Sequence, residues 1–290
     1  MKLARVFRDR PPGLAFELSE AGIASAATAA PEVRFHPLKP GTISVSPLRD
    51  NIVMPDELVF ALRAIAPQNG KRREGAVILP DNCARVAVLD FDEFPSDPKD
   101  QLPLVRFRLK KSVPYDVDSA AVSFWTQPSG GKRVDVVAAV APVEIIARYE
   151  APFRAAGISP GYVTTSAIAM LRLIDGGGLA VVAKLSGRVL TLLVTDRGVL
   201  KLIRCLELAN STLADVAQDL YPTFAYVEDQ LGHRAERLLV CGFGDQTDDA
   251  RRLFAAELGI EVEAVASRFG APGEFNAGLI GYLQEVLESA

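Results

Sequence analysis

The side chains able to carry catalysis are few in this 290-residue chain, and they are poorly placed for it. His36 precedes Pro37 in a polar segment and His233 follows Gly232 in a turn, so neither sits in a Ser–His–Asp setting. No other His or Cys stands at ligand spacing from them, which argues against zinc. Cys83, Cys205 and Cys241 are odd in number, far apart and set in apolar stretches. They read as buried free thiols of a reducing compartment. The acids Asp90, Asp92, Glu93, Asp97 and Asp100 suggest paired carboxylates at first sight. They flank Pro95 and Pro98, however, and read as a solvated turn ahead of a helix. Gly176-Gly177-Gly178 could cradle a phosphate only if it opened a helix. It runs into a strand, so it reads as a linker.

Composition narrows the class further. The apolar fraction is 49%, the charged fraction 23% and the net charge −4. Those values suit a globular protein and argue against a general affinity for nucleic acid, which needs a broad basic surface. No run reaches the ~18 apolar residues of a membrane span. The opening MKLARVFRDRPPG carries Lys2, Arg5, Arg8 and Arg10 without an apolar core behind them. It reads as a solvated arm or first strand, with a membrane-surface contact as the alternative.

The elements that must position any site form a pattern that starts twice. GLAFEL from Gly13, IASAATA and Val33–Leu38 predict a three-stranded meander. GLAVVAKL from Gly178, VLTLLVT and VLKLIRCLEL predict a second, with Asp196-Arg197-Gly198 as its hairpin turn. Helices are expected over Pro55–Ala66, Lys99–Ser112, Val143–Ala156, Tyr162–Ile174, Thr212–Leu231, Asp248–Leu258 and Asn276–Leu287. Pro222 should kink or restart the fifth of these. A short strand, EVEAV, is expected after Gly259.

One stretch carries a resemblance. From Val77, an apolar run ends in Leu79-Pro80, followed by the alternating strand Ala84, Val86, Val88 and a charged helix closing in Val113-Pro114-Tyr115-Asp116. That order resembles the inserted subdomain of the PilM family, the cytoplasmic actin-like proteins of type IV pilus assembly and relatives of FtsA. The likeness covers Val77–Ile174 well and most of the chain loosely. It implies an α/β actin-like fold of the Hsp70 and sugar-kinase type, with two duplicated ribonuclease H-like lobes. The first lobe is expected over 1–175, with the insert at about 74–141. The second is expected over 176–290, with an adenine-side subdomain reduced to about 207–236.

The resemblance also implies an ATP and magnesium site, and here the motifs depart from the family. Its first strand resembles Gly-Leu-Asp-Ile-Gly-Ser, where this chain has Gly13-Leu14-Ala15-Phe16-Glu17-Leu18 ahead of Ser19. The family's Val-Asp-Ile-Gly-Ala becomes Ala183-Lys184-Leu185-Ser186-Gly187. Ala15 and Lys184 thus replace the metal-side acids, while Glu17 and Ser186 replace the glycines. A slip of one or two residues would instead give Glu17 or Glu20 the metal role and Gly187 the glycine's. The Gly-Gly turn that grips adenosine is partly kept as Gly242-Phe243-Gly244, with a plain strand-to-helix turn as the simpler reading. A carboxylate ~4 Å from a phosphate, at an effective dielectric of ~20, costs about 4 kcal/mol. The expectation is a degenerate site with no catalytic residue, no metal and no required cofactor. A working nucleotide switch or ATPase is the alternative.

What remains is binding. The charged helix has Leu102, Val105 and Leu109 on one face, ringed by Arg106, Arg108, Lys110 and Lys111. It suits an acidic partner, the membrane face or plain solvent. In the PilM family the insert and first lobe form a groove for the cytoplasmic N-terminal peptide of PilN, a bitopic inner-membrane protein. The cytoplasmic part of the type II secretion protein GspL shares the fold. The resemblance implies a groove near Pro80, Arg106, Lys110, Pro114 and Tyr115. It implies a cytoplasmic scaffold held at the inner membrane through a PilN-like partner. Other platform proteins are further candidate partners, and end-to-end self-association is a third reading.

Overall fold

A computed structural model describes residues 11–66, 73–128 and 133–288. The N-terminal arm with Lys2, Arg5, Arg8 and Arg10 lies outside them.

The first lobe opens with β1 (Leu14–Leu18), β2 (Gly22–Ala27) and β3 (Ala30–Pro37), then α1 (Pro55–Ile65) and β4 (Arg73–Leu79). A 3₁₀ turn at Asp81–Cys83 leads out of β4 into β5 (Arg85–Phe91), α2 (Pro98–Leu109), β6 (Ala121–Thr126) and β7 (Val134–Ala141). α3 (Val143–Ala155), β8 (Ile158–Thr165) and the one-turn α4 (Ser166–Met170) complete the lobe. The second lobe has β9 (Ala180–Ser186), β10 (Val189–Asp196), β11 (Val199–Glu207), α5 (Leu213–Leu231), β12 (Arg237–Cys241), α6 (Thr247–Leu258) and β13 (Glu261–Ala264). The closing helix is α7 (Ala277–Glu288).

The two large sheets have the same construction. Their strand orders are β3-β2-β1-β4-β8 and β11-β10-β9-β12-β13, each an antiparallel meander extended by two parallel strands. This is the duplicated actin-like arrangement expected from the repeated meander. The second hairpin turns on Arg197 and Gly198, both at positive φ (48° and 78°), which matches the right-handed twist of its strands. α5 is capped by the Thr212 hydroxyl, which accepts from Asp215 N at 3.2 Å, and stops at Gly232 in the left-handed region. It runs unbroken through Pro222, because Val216, Leu220, Thr223 and Val227 anchor one face on both sides of the proline.

Three expectations need correction. Tyr162–Ile174 is not one helix: the chain stays extended to Thr165, then makes α4 and a 3₁₀ turn. A short, mostly apolar run gives too little periodicity to tell strand from helix. The insert does not begin at 74, since β4 is a central strand of the first sheet. The separate sheet, β5-β7-β6, begins at Arg85, with α2 covering one face through Val105 and Leu109. Finally, α7 does not pack as part of the second lobe. Leu279, Tyr282 and Leu283 lie over Ala15 and Ile78 of the first sheet, and a Cβ at Gly281 would come within 2.1 Å of Ala169 O.

Candidate functional site

The turns at the ends of β1, β4 and β9 meet between the lobes, and three ionisable side chains are buried there. Glu17 is 4% exposed, Asp81 7% and Lys184 2%. Glu17 points from β1 toward the first turn of α7, where Leu279 N donates to its Oε2 at 2.7 Å, and it accepts a short hydrogen bond from Ser166 Oγ. Backbone N–H groups in a helix's first turn have no partner within the helix, so a carboxylate there is well placed. Asp81 Oδ2 accepts from Lys184 Nζ at 2.9 Å and from Thr191 Oγ1 at 2.9 Å. Its Oδ1 accepts from Ala167 N at 2.7 Å. Asp81 therefore joins its own lobe to two residues of the other.

The charges at this junction oppose and compensate one another. Burial pushes the Glu17 carboxyl above its ordinary value, against the pull of Lys184 and of both hydrogen bonds. Burial disfavours charge on Lys184, but the Asp81 and Glu17 carboxylates outweigh it and hold the ammonium pKa above its ordinary value. Thiols surround the cluster: burial raises Cys205 and Cys241 to about 12, and raises Cys83 as well.

The residues expected at a nucleotide site are brought together only in part. A cavity of about 770 Å³ beside the junction is lined by Glu17, Ser19, Asp81, Lys184, Ser186 and Gly187. Ala15 is absent from it: it lies fully buried under α7, one pleat back from Glu17. The position facing the cleft is Glu17, so the assignment of Ala15 to a lost metal-side acid is corrected by the burial of that part of β1. Ser19 closes the β1–β2 turn, its hydroxyl donating to Gly22 O at 2.9 Å. Gly187 (φ 58°) donates its N–H to Glu274 Oε1 at 3.2 Å. Gly242 (φ 81°) sits where a Cβ would come within 2.0 Å of Leu185 O. Gly244 is also at positive φ (54°). Phe243 between them is buried edge-on against Phe254 in the second lobe's core.

Magnesium is ordinarily held through one or two carboxylates with water and phosphate oxygens. Here an ammonium sits on Asp81, a helix N-terminus sits on Glu17, and a carboxylate takes the Gly187 N–H that would meet a phosphate. This donor set does not fit a magnesium-bound triphosphate.

Sequence reasoning missed Asp81, Ser166 and Thr191. The signal for Asp81 was a polar residue directly after the apolar run and Pro80; the other two had none, lying 85 and 110 positions further along the chain.

A second concavity opens elsewhere. β6 is an edge strand of the insert and β8 an edge strand of the first sheet. Between them lies an apolar groove of about 250 Å³ lined by Leu79, Ala121, Trp125, Ala139, Val163 and Thr165, among others. Two of its polar atoms, Trp125 Nε1 and Thr165 Oγ1, are buried without a hydrogen-bond partner. None of the residues expected to line a groove lines this one. Pro80 borders the interlobe cavity. Arg106 bonds the carbonyl oxygens of Val117 and Ala120, Lys110 pairs with Asp118 at 2.6 Å, and Tyr115 Oη donates to Val140 O at 3.1 Å. Pro114, next to Tyr115, is exposed. α2 covers the opposite face of the sheet, so its charges fasten the insert's own loops.

No sequence-family profile matches the chain, and no curated protein sequence does. Solved structures do. The chain is similar to a structure described as the PilM–PilN type IV pilus biogenesis complex, with TM-score 0.78 and 16% identity over 96% of this chain and 99% of that one. It is also similar to the cytoplasmic domain of EpsL, an inner-membrane component of the Vibrio cholerae type II secretion system (TM-score 0.52, 15% identity, 96% and 94% covered). A Bacteroides thetaiotaomicron protein of unknown function with an actin-like ATPase fold matches at TM-score 0.52 and 11% identity, over 93% and 94%. The fold is therefore actin-like, of the form shared with PilM.

Proposed function

We propose that this chain is a catalytically silent actin-like scaffold of a type IV pilus or type II secretion platform. It binds the short cytoplasmic N-terminal segment of a PilN-like bitopic membrane protein. The observation that carries this reading is the groove between β6 and β8. Both strands end their sheets there, so each offers unpaired backbone groups to an extended peptide. The walls are apolar, and Trp125 and Thr165 among their residues lend a large aromatic surface and a polar side chain.

Among the described residues no helix is long and apolar enough to cross a membrane. On this reading the protein reaches the inner membrane through its partner. The solved PilM–PilN complex lends support at the level of fold. Trp125 is the chain's single tryptophan, so its fluorescence reports groove occupancy directly. Titrating peptides from the cytoplasmic tails of single-span membrane proteins encoded nearby should shift its emission. Saturable binding that leaves Trp125 emission unchanged would place the peptide elsewhere and overturn the assignment.

The second reading, a nucleotide-dependent switch, draws on the interlobe cavity. A ligand at 100 times its Kd adds about 2.7 kcal/mol of stability. A rise in Tm with Mg-ATP that EDTA abolishes would favour it; the scaffold reading expects none.

A further inference from the structure

The lobes of this chain are joined by protein groups at the place where the resemblance implies a nucleotide site. Two sets of connections cross the divide. At the base, Asp81 of the first lobe accepts from Lys184 and Thr191 of the second. Beside it, within the first lobe's packing, Glu17 holds the N-terminus of α7 against β1. At the mouth, Gln127 of the insert pairs with both backbone groups of Leu200 in the second sheet's edge strand, donating to its O at 2.7 Å and accepting from its N at 2.8 Å. Beside that pair, Lys201 bonds Asp135 at 2.8 Å.

The base connection is unusual in its chemistry. Two carboxylates from one lobe, buried and aimed at the cleft, would repel each other and the closed state unless a positive charge stood between them. A metal ion is the common solution. Here the charge is covalent, delivered on the side chain of β9.

We infer that Lys184 is a built-in cation that latches the lobes shut, replacing the ligand-dependent closure open to an actin-like cleft with a permanent one. The ammonium pairs with Asp81 directly and offsets Glu17 through space. Thr191 and Ala167 N also donate to Asp81, so both of its oxygens are held by protein donors and the latch closes without a metal or phosphate. A permanently closed cleft also keeps the insert seated on β11, which fixes the relation of β6 to the first lobe. The inference rests on the interlobe geometry and stands whatever occupies the groove.

Spin labels at Lys39→Cys and Asn210→Cys, in a Cys205→Ser background, would measure the interlobe distance by pulsed electron resonance. Protein stripped of metal and nucleotide should give one narrow distribution, unchanged by Mg-ATP. Lys184→Met and Asp81→Asn should each broaden it toward longer distances while circular dichroism stays native. Folded variants that keep the narrow distribution would overturn the latch. So would stripped protein that is already broad, or one that Mg-ATP narrows. If neither variant folds, the stripped protein decides alone. A failed peptide titration would leave these readings untouched, so the two proposals fail separately.

Discussion

The interlobe junction and the β6–β8 groove are both buried concavities, but they differ in polar satisfaction. At the junction every carboxylate oxygen of Glu17 and Asp81 has a protein donor. In the groove two polar atoms have none. A concavity whose polar groups are mutually satisfied gains little from a ligand and serves as structure. One whose walls are apolar and whose few polar atoms are orphaned gains from being filled. By that measure, the carboxylates beside the interlobe cavity are already satisfied by the protein, while the groove between the edge strands has apolar walls left to cover.

The largest test is to break the junction. Lys184→Met leaves Asp81 buried without its cation, and removing one partner of a buried pair costs about 3–5 kcal/mol. Urea unfolding should show that loss, and a cost under ~1 kcal/mol would mean that water already shares the site. Next in size, Ala121→Glu sets a charge on the groove wall and should abolish peptide binding by fluorescence. Because Ala121 is half-exposed, stability should change by less than ~0.5 kcal/mol.

Alkaline titration reads the junction without mutation. The three thiols around it stay protonated when folded but ionise near pH 8.5 in the unfolded chain. The unfolded state then binds fewer protons, so stability is intact below about pH 8.5. It falls as pH rises toward 12, at up to ~1.4 kcal/mol per unit for each thiol. Melting curves from pH 7 to 11 check this, and a flat profile would contradict the burial of those thiols.

The smallest effect belongs to Trp125→Phe. It trims the groove wall and removes an unpaired donor, so stability should stay within ~1 kcal/mol of wild type, while peptide affinity falls about fivefold for the lost contact area. Equal losses in both measurements would show that the indole is a packing element only.

Much of this architecture was legible because it is local. The repeated meander, the Thr212 and Gly232 caps and the Arg197-Gly198 turn are written in neighbouring residues, as was the Leu79-Pro80 to Tyr115 pattern behind the resemblance. Two readings mark the limit. Tyr162–Ile174, expected as one helix, divides into strand and short helix, since a short, mostly apolar run carries too little period to separate the two. The charges of α2 stayed open between an acidic partner, the membrane face and solvent, because a sequence shows that Arg106 and Lys110 exist but not that Val117, Ala120 and Asp118 are in reach. The departure of the nucleotide motifs was visible at Lys184 and Glu17. Its meaning was not, since the residue that gives Lys184 a purpose lies 103 positions away.

The order of residues alone determined the paired sheets, the helices with clear periodicity and the presence of a lysine and a glutamate in unexpected places. Each depends on torsional preference and on the spacing of apolar side chains along a few turns of chain. Folding in three dimensions decided that Asp81, Lys184 and Thr191 would share one set of hydrogen bonds, that Ala15 would disappear beneath α7, and that two edge strands would leave a groove with unspent donors. Electrostatics and close packing act through space, and contour length says nothing about which distant charges will meet out of water.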